Sequence, residues 1–154
     1  YLRSLENEKL DLAIMKYTID HINNINELFN LLASKLKRNG KLIATIGSTS
    51  PELKSFSTNA RYLYNGKPFP DNEIRILKDG DSFSVKFFKI SGDQNSGYLK
   101  GAETVKYFHS AEKIKQLADF FGFNIFIGDW KNFIEKDNRG GESMDQEIIV
   151  LTKK

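Results

Sequence analysis

Cysteine is absent from the 154-residue chain, which excludes disulfide bonds and thiolate zinc sites. The chain has only two histidines, His21 and His109, and they stand far apart without carboxylates at ligand spacing, so no metal site is indicated. No apolar run approaches the roughly 20 residues of a membrane-spanning helix. The polar start "YLRSLENEKLD" also lacks the apolar core of a secretory signal. We therefore expect a cytoplasmic protein with neither a metal nor a membrane as partner.

An excess of charge of one sign is also lacking. The chain carries 23 basic and 20 acidic residues, a net charge of +3, and the two signs alternate along the sequence. Such a balance gives no electrostatic indication of nucleic acid or a membrane surface as partner. The 40% hydrophobic and 28% charged content is that of an ordinary globular protein, and the length suits one domain with its own core.

A strand–helix–strand pattern occupies residues 10–47. The short apolar runs "KLDLAIMKY" and "KLIATIG" predict two buried strands. Between them we predict a helix with Asn23 or Asn24 as its N-cap and Gly40 as its left-handed stop. Its buried face has helical spacing and consists of Ile25, Leu28, Phe29, Leu32 and Leu36. The unit is long enough for a parallel crossover.

The rest of the chain divides into an irregular centre and a regular end. Residues 48–73 hold all three prolines and predict a long connection with a helical turn after Pro51. A β-hairpin follows, made of "DSFSVKFFKI" and "AETVKYFHS" around the turn-rich "SGDQNSG". Ser110 then caps the helix "AEKIKQLADFFG", which Gly122 ends, and "FNIFIGDW" and "EIIVLTK" form two strands around a loop at Gly140-Gly141. This alternation predicts an α/β sheet covered on both faces.

The order of these elements resembles the C-terminal half of a class I S-adenosylmethionine-dependent methyltransferase. The similar segments are "LDLAIMKYTIDHI" as the fourth strand, "LKRNGKLIAT" leading into the fifth, "LADFFGFNIF" leading into the sixth, and "QEIIVLTK" as a reversed seventh. The resemblance covers roughly residues 10–47 and 110–152. It implies a Rossmann-like α/β sheet in one domain: a βαβ unit at 10–47, a loop and inserted β-hairpin lid at 48–109, and an αββ closing unit at 110–154.

Two features of that family are absent: the glycine-rich loop after strand one and the acidic residue that holds the cofactor ribose after strand two. Both lie upstream of strand four in the family, and the chain begins mid-sequence without Met. The resemblance implies S-adenosylmethionine as cofactor. The two absent features lead us to expect either an upstream half of the domain or a homo-oligomer partner. Without such a partner the first strand would expose a sheet edge.

The candidate catalytic and cofactor residues follow the first strand, because ligands bind outside the carboxyl ends of strands in open α/β sheets. The resemblance implies that Met15, Lys16 and Tyr17 lie beside the cofactor, mainly through backbone and packing contacts. His21 is the candidate general base, since imidazole transfers protons near neutral pH, with Asp20 beside it. The alternative is that Asp20 and His21 only cap or precede the helix.

The candidate acceptor residues lie in the central segment, the position of the acceptor lid in the family. Tyr62 and Tyr64 could stack on a planar acceptor or anchor the segment to a core. Glu103, Tyr107 and His109 fall at alternate positions of one extended run, so we predict that they share a sheet face and line a pocket. Solvated strand polarity is the alternative.

Three functions are compatible with the resemblance. The first is methyl transfer to a small-molecule acceptor. The second is RNA cap guanine-N7 methylation, since those enzymes are similar in "FSVKF", in "GAETVKYFHSAEKIKQLADFFGF" and in a glutamate near Glu103. However, their His-Tyr pair is here His21-Ile22, a tyrosine before their last strand is here Gln146, and the weak basic balance disfavours RNA. The third is a non-catalytic methyltransferase-like subunit that binds and stabilises a partner.

Overall fold

The structure is a computed structural model of the chain, and it describes residues 2–129 and 147–154. The predicted loop at Gly140-Gly141, and Gln146, lie outside the described residues. The chain divides into two compact units: unit 1 comprises Tyr1–Thr49 and Ser110–Lys154, and unit 2 comprises Ser50–His109. Whether they belong to one methyltransferase domain stays a prediction.

The described elements follow one another along the chain as strands and helices with two short 3-10 segments. In order they are a 3-10 helix (Leu2–Ser4), β1 (Leu10–Met15), a 3-10 turn (Ile19–His21), α1 (Ile25–Lys35), β2 (Leu36–Ile46), β3 (Glu52–Lys54), β4 (Ala60–Tyr64), β5 (Lys67–Pro68), β6 (Ile74–Ile76), β7 (Ser82–Ile90), β8 (Asp93–Tyr107), α2 (Ala111–Phe120), β9 (Phe123–Asp129) and β10 (Glu147–Lys153).

Unit 1 is built on a four-stranded sheet with the strand order β1-β2-β10-β9. β1 and β2 are parallel, as the predicted crossover requires. β10 is antiparallel to both of its neighbours, β2 and β9. The predicted α/β sheet and its reversed last strand are therefore confirmed.

The helices of unit 1 begin at the predicted caps. The Asn24 side chain accepts the N–H of Glu27 at 3.2 Å, and the Ser110 hydroxyl accepts the N–H of Lys113 at 3.1 Å. α1 ends earlier than predicted, however, because Leu36 is already the first residue of β2. An apolar residue at the junction of a helix and a buried strand fits either pattern, so spacing alone could not assign Leu36.

The prediction that Gly40 provides the left-handed helix stop is wrong. Asn39 takes the left-handed conformation, with φ of 62°. Gly40 instead allows a close backbone approach: a Cβ there would lie 2.9 Å from the Leu10 carbonyl oxygen and 2.8 Å from that of Lys37. It stands where β2 bulges against β1, between the pairs Leu10–Leu36 and Leu12–Lys41.

The core of unit 1 lies on one face of the sheet. Both helices pack there against strand residues that alternate along β2 and β10, Leu42, Ala44, Ile149 and Leu151. On the other face Ile14 is 71% exposed and Leu12 is 49% exposed. On the same face, however, the paired residues Thr45 and Ile148 are 6% and 1% exposed, so that face is covered in part. The helices of the described residues cover one face of the predicted sheet, and full cover of the other face stays a prediction.

Unit 2 is an all-β unit rather than the long connection that we predicted. β3 and β6 form a two-stranded antiparallel sheet, and a separate four-stranded antiparallel sheet has the strand order β5-β4-β7-β8. The predicted helical turn after Pro51 is wrong, since Glu52–Lys54 is a strand. The predicted hairpin of β7 and β8 is present, and Ser91-Gly92 is its turn. The segment "SGDQNSG", which we predicted as the link between the two strands, lies mostly within β8. The role of this hairpin as a lid stays a prediction.

Candidate functional site

The candidate site lies at the edge of the unit 1 sheet where β1 and β2 end. Because these strands are parallel, Met15 and Ile46 end at the same edge. Directly after β1, Tyr17 has φ of 54°, in the left-handed region that non-glycine residues seldom adopt. Its backbone N–H donates to the Thr45 hydroxyl of β2 at 2.9 Å. This bond holds the strained turn against the neighbouring strand.

The 3-10 turn Ile19–His21 follows and lies against β2. Ile19 is 2% exposed, and both Ile19 and Ile22 pack on the unit 1 core. Side chains three residues apart in a 3-10 turn lie on the same side, so these two isoleucines fix the orientation of the turn. Asp20 is buried at 6% exposure, whereas His21 is exposed. The predicted catalytic pair thus consists of one buried carboxylate and one accessible imidazole.

A second carboxylate at this edge was missed from the sequence. Glu147 begins β10 and pairs with Ile46, and its Oε2 accepts the N–H of Thr49 at 2.6 Å. Thr45, the acceptor for the Tyr17 N–H, was missed as well. A polar residue inside the apolar run "KLIATIG" was the available signal for Thr45, whereas Glu147 requires the position of the reversed strand.

The three predicted cofactor residues stand at the expected strand end but differ in accessibility. The Met15 side chain is partly buried and packs on the core, so its side chain has a structural role. Lys16 and Tyr17 are exposed, and the Lys16 ammonium lies 5.2 Å from the centre of the Tyr17 ring. Whether these residues contact a cofactor stays a prediction.

The predicted acceptor residues of unit 2 do not form one surface. Tyr62 pairs with Val85, which pairs with Thr104, and Tyr64 pairs through Phe83 with Lys106. Directly paired residues share a face of a sheet, so both tyrosines lie on the face of the even-numbered residues 104 and 106. Glu103 and Tyr107 therefore project from the opposite face of β8.

His109 is separated from that group as well, because β8 ends at Tyr107. The predicted common face of Glu103, Tyr107 and His109 is thus wrong for the histidine, which is buried at 2% exposure beyond the strand. Glu103 is exposed and forms an ion pair with Lys86, its cross-strand neighbour, at 3.5 Å. Alternation within one run could not reveal where the strand stops.

Both tyrosines have structural partners in unit 2. The Tyr62 ring packs edge-on against Phe83 with 6.0 Å between centroids, and the Tyr64 hydroxyl donates to Asp81 at 3.4 Å. Both rings pack against the small buried cluster of Leu53, Phe69, Leu77 and Phe108. These contacts agree with the anchoring alternative for the two tyrosines.

The edge of unit 1 thus combines the carboxylates of Asp20 and Glu147, the exposed imidazole of His21, and the Lys16 ammonium beside the exposed Tyr17 ring. Residues 2–129 and 147–154 contain no group of three or more His, Cys, Asp or Glu side chains that could hold a metal ion. Within the same ranges no helix is long and apolar enough to cross a membrane.

Comparison with solved structures identifies the fold. Similar structures include an S-adenosylmethionine-dependent methyltransferase from Clostridium acetobutylicum (TM-score 0.52, 16% identity), one from Mesorhizobium loti (0.54, 12%) and the CcbJ methyltransferase from Streptomyces caelestis (0.58, 9%). The matches cover 99%, 99% and 100% of this chain, which spans 62%, 67% and 62% of those chains. A scan of protein-family models and a search of curated proteins give no match.

The unit 1 sheet, with its parallel crossover and reversed strand, belongs to the open α/β class. More particularly, the chain has the Rossmann-like fold of class I S-adenosylmethionine-dependent methyltransferases. At these identities the likeness establishes the fold, and the chemistry has to be argued from the residues.

Proposed function

We propose that the chain is the C-terminal part of an S-adenosylmethionine-dependent methyltransferase that acts on a small molecule. The observation that carries the proposal is the edge where β1 and β2 end in parallel, with Asp20, His21 and Glu147 beside it. In open α/β sheets this edge is the ligand-binding edge.

The charge of this edge suits the proposed cofactor. S-adenosylmethionine supplies a methyl group on a positively charged sulfonium. The carboxylates of Asp20 and Glu147 favour a positive charge at this edge, which the Lys16 ammonium beside the Tyr17 ring offsets in part. The exposed ring of Tyr17 offers an aromatic face. Within this arrangement, Lys16 and Tyr17 would contact the cofactor, and Met15 would contribute backbone.

His21 is the proposed general base. Its imidazole is accessible, so it can take a proton from an acceptor hydroxyl or amine as that group is methylated. Asp20, next to it in sequence and buried at 6% exposure, is the second proposed catalytic residue. The core contacts of Ile19 and Ile22 hold both residues in place.

Cofactor binding can be tested by titrating the ¹⁵N-labelled full-length protein, with its upstream half, with S-adenosylmethionine and following the amide resonances. We expect shifts at Lys16, Tyr17 and neighbouring residues of the turn, even for millimolar affinity. Thr45→Val should weaken binding about fivefold, since it removes the acceptor for the Tyr17 N–H. Thr152→Val, at the opposite end of the same sheet, should have no effect. A titration without shifts at this edge would favour the non-catalytic subunit instead.

The base role requires a methyl-transfer assay on the assembled enzyme. We expect His21→Ala to lower kcat about a hundredfold while cofactor binding is retained. A variant with full activity would overturn the role of His21 and leave the cofactor proposal intact. A capped RNA oligonucleotide offered in the same assay tests the runner-up activity, and its efficient methylation would contradict a small-molecule acceptor.

We also propose that the outer edge of β1 pairs with a strand of the upstream half of the domain. Two observations support this partner. β1 is an edge strand of the described sheet, and an edge strand presents backbone groups with which a further strand can pair. The matched methyltransferases are also longer than this chain.

The coding sequence ahead of Tyr1 tests the partner directly: we expect a strand followed by a glycine-rich loop. A start codon immediately ahead of Tyr1 would refute an upstream half. Dimers of the chain in sedimentation, dissolved by Ile14→Lys but not by Ile76→Lys, would indicate a second copy as the partner of β1.

A further inference from the structure

Unit 2 contains a cleft that none of the proposed methyl-transfer residues lines. Its volume is about 410 Å³, and its walls come from the segment after β3 and the segment before β6. This volume lies within the range of sites for small molecules. Polar contacts to it would come from Lys54, Thr58, Asp71, Asn72 and Glu73.

The floor of the cleft is held in place by a buried polar contact. The Ser55 hydroxyl donates to Asp71 Oδ1 at 3.1 Å, and Ser55 itself is 1% exposed. The Arg61 guanidinium bonds to the same carboxylate oxygen and also donates to the Phe69 carbonyl at 3.2 Å. Because Asp71 is held from two sides, its position does not depend on a ligand, and a prearranged group loses less entropy on binding.

The charges around the cleft nearly cancel. The carboxylate of Asp71 forms an ion pair with Arg61, and that of Glu73 forms one with Arg75 at 2.7 Å. Lys54 adds a further positive charge to the lining. The cleft therefore has no surplus of negative charge to select a cation, and its two carboxylates disfavour an anion. A neutral ligand fits this balance.

The lining residues include both hydrogen-bond donors and hydrogen-bond acceptors. Carboxylates accept, the Lys54 ammonium and the amide N–H of Asn72 donate, and the Thr58 hydroxyl does both. Phe56 and Ile74 add apolar surface to the same cleft. A hydroxyl group both donates and accepts, so adjacent hydroxyls on a ring with an apolar face match this mixture better than an amine or a hydrocarbon does.

We propose that this cleft binds a neutral polyhydroxylated ring, such as the sugar part of a small molecule. The proposal is independent of methyl transfer, since it concerns the residues of unit 2 alone and is read out by binding.

Saturation-transfer NMR on the whole chain tests the proposal, with methyl α-D-glucopyranoside and D-ribose as probes. We expect saturation transfer to at least one sugar. Asn72→Ala should weaken binding about fivefold, the effect of one lost hydrogen bond. Asn95→Ala removes the same amide from the exposed β8 strand and should leave binding unchanged. Putrescine serves as the charged probe.

The outcomes separate the proposal from its alternatives. Absence of transfer to both sugars, or equal loss in the two asparagine variants, would overturn it. Stronger transfer to putrescine than to the sugars would also overturn it, because a cation would then be the preferred ligand. An unchanged amide spectrum of Asn72→Ala confirms that a loss of binding does not reflect unfolding.

Discussion

The two units of the chain obtain their stability from different amounts of buried apolar surface. In the described part of unit 1, fifteen buried hydrophobic residues form one cluster between the helices and the sheet. In unit 2 the corresponding cluster has four members. Since burial of apolar side chains is the dominant favourable contribution to folding, the smaller cluster leaves unit 2 more dependent on specific polar contacts.

Those polar contacts are visible in unit 2. Arg61, Asp71 and Ser55 form one linked group, and Asp81 accepts bonds from the Tyr64 hydroxyl and the Lys78 N–H. In unit 1 the ion pair of Asp11 and Lys37 has two largely exposed partners. The difference predicts that truncation of an apolar residue costs more stability in unit 1 than in unit 2, and that loss of an ion-paired carboxylate costs more in unit 2 than in unit 1.

The largest expected effect separates the two cores. Leu32→Ala should lower the free energy of unfolding by about 4 kcal/mol, because Leu32 is 0% exposed and a rigid helix–sheet core closes around the cavity poorly. Leu77→Ala should cost about 2 kcal/mol, since neighbours in a small cluster can relax into the space. Urea unfolding followed by far-ultraviolet circular dichroism measures both values. Equal losses would contradict the comparison.

A second pair of variants compares backbone crowding with backbone conformation. Gly40→Ala in unit 1 should cost about 3 kcal/mol, because its Cβ would lie within 2.9 Å of two carbonyl oxygens. Gly101→Ala in unit 2 meets no atom within 4 Å, and only its φ of 77° is unfavourable for alanine, so we expect about 1 kcal/mol. The same unfolding experiment measures both, and a smaller loss for Gly40→Ala would refute the close approach.

The fold of unit 1 could be predicted because its signals are local. The helical spacing of Leu28 and Leu32 and the caps at Asn24 and Ser110 need only neighbouring residues. Unit 2 has strands as short as Lys67–Pro68, and the pairing of β3 with β6 joins segments about twenty residues apart. Such non-local pairing leaves no periodic pattern of apolar residues in the sequence. The many turn residues of this segment therefore led to the prediction of a long connection instead of strands.

The candidate site could be predicted only where its residues follow one another in the sequence. The end of β1 locates Tyr17, Asp20 and His21 from the sequence alone. Thr45 and Glu147 join them only through the register of β2 with its two neighbours, which is a tertiary property. In unit 2 the pairing through β7 decides which face of β8 meets the two tyrosines, so one extended run could not predict a shared pocket.

The smallest expected effect compares the ion pairs of the two units. Asp71→Asn should destabilise the chain by about 1.5 kcal/mol, because the Arg61 side chain is 20% exposed and would lose its charged partner. Asp11→Asn should cost less than about 0.5 kcal/mol, since Lys37 is 46% exposed and water replaces the lost interaction. Urea unfolding at low and high salt measures both, and added salt should diminish only the Asp11 effect. If both variants were equally stable, the polar contacts of unit 2 would contribute no more than surface charges, and its small core would have to stabilise it alone.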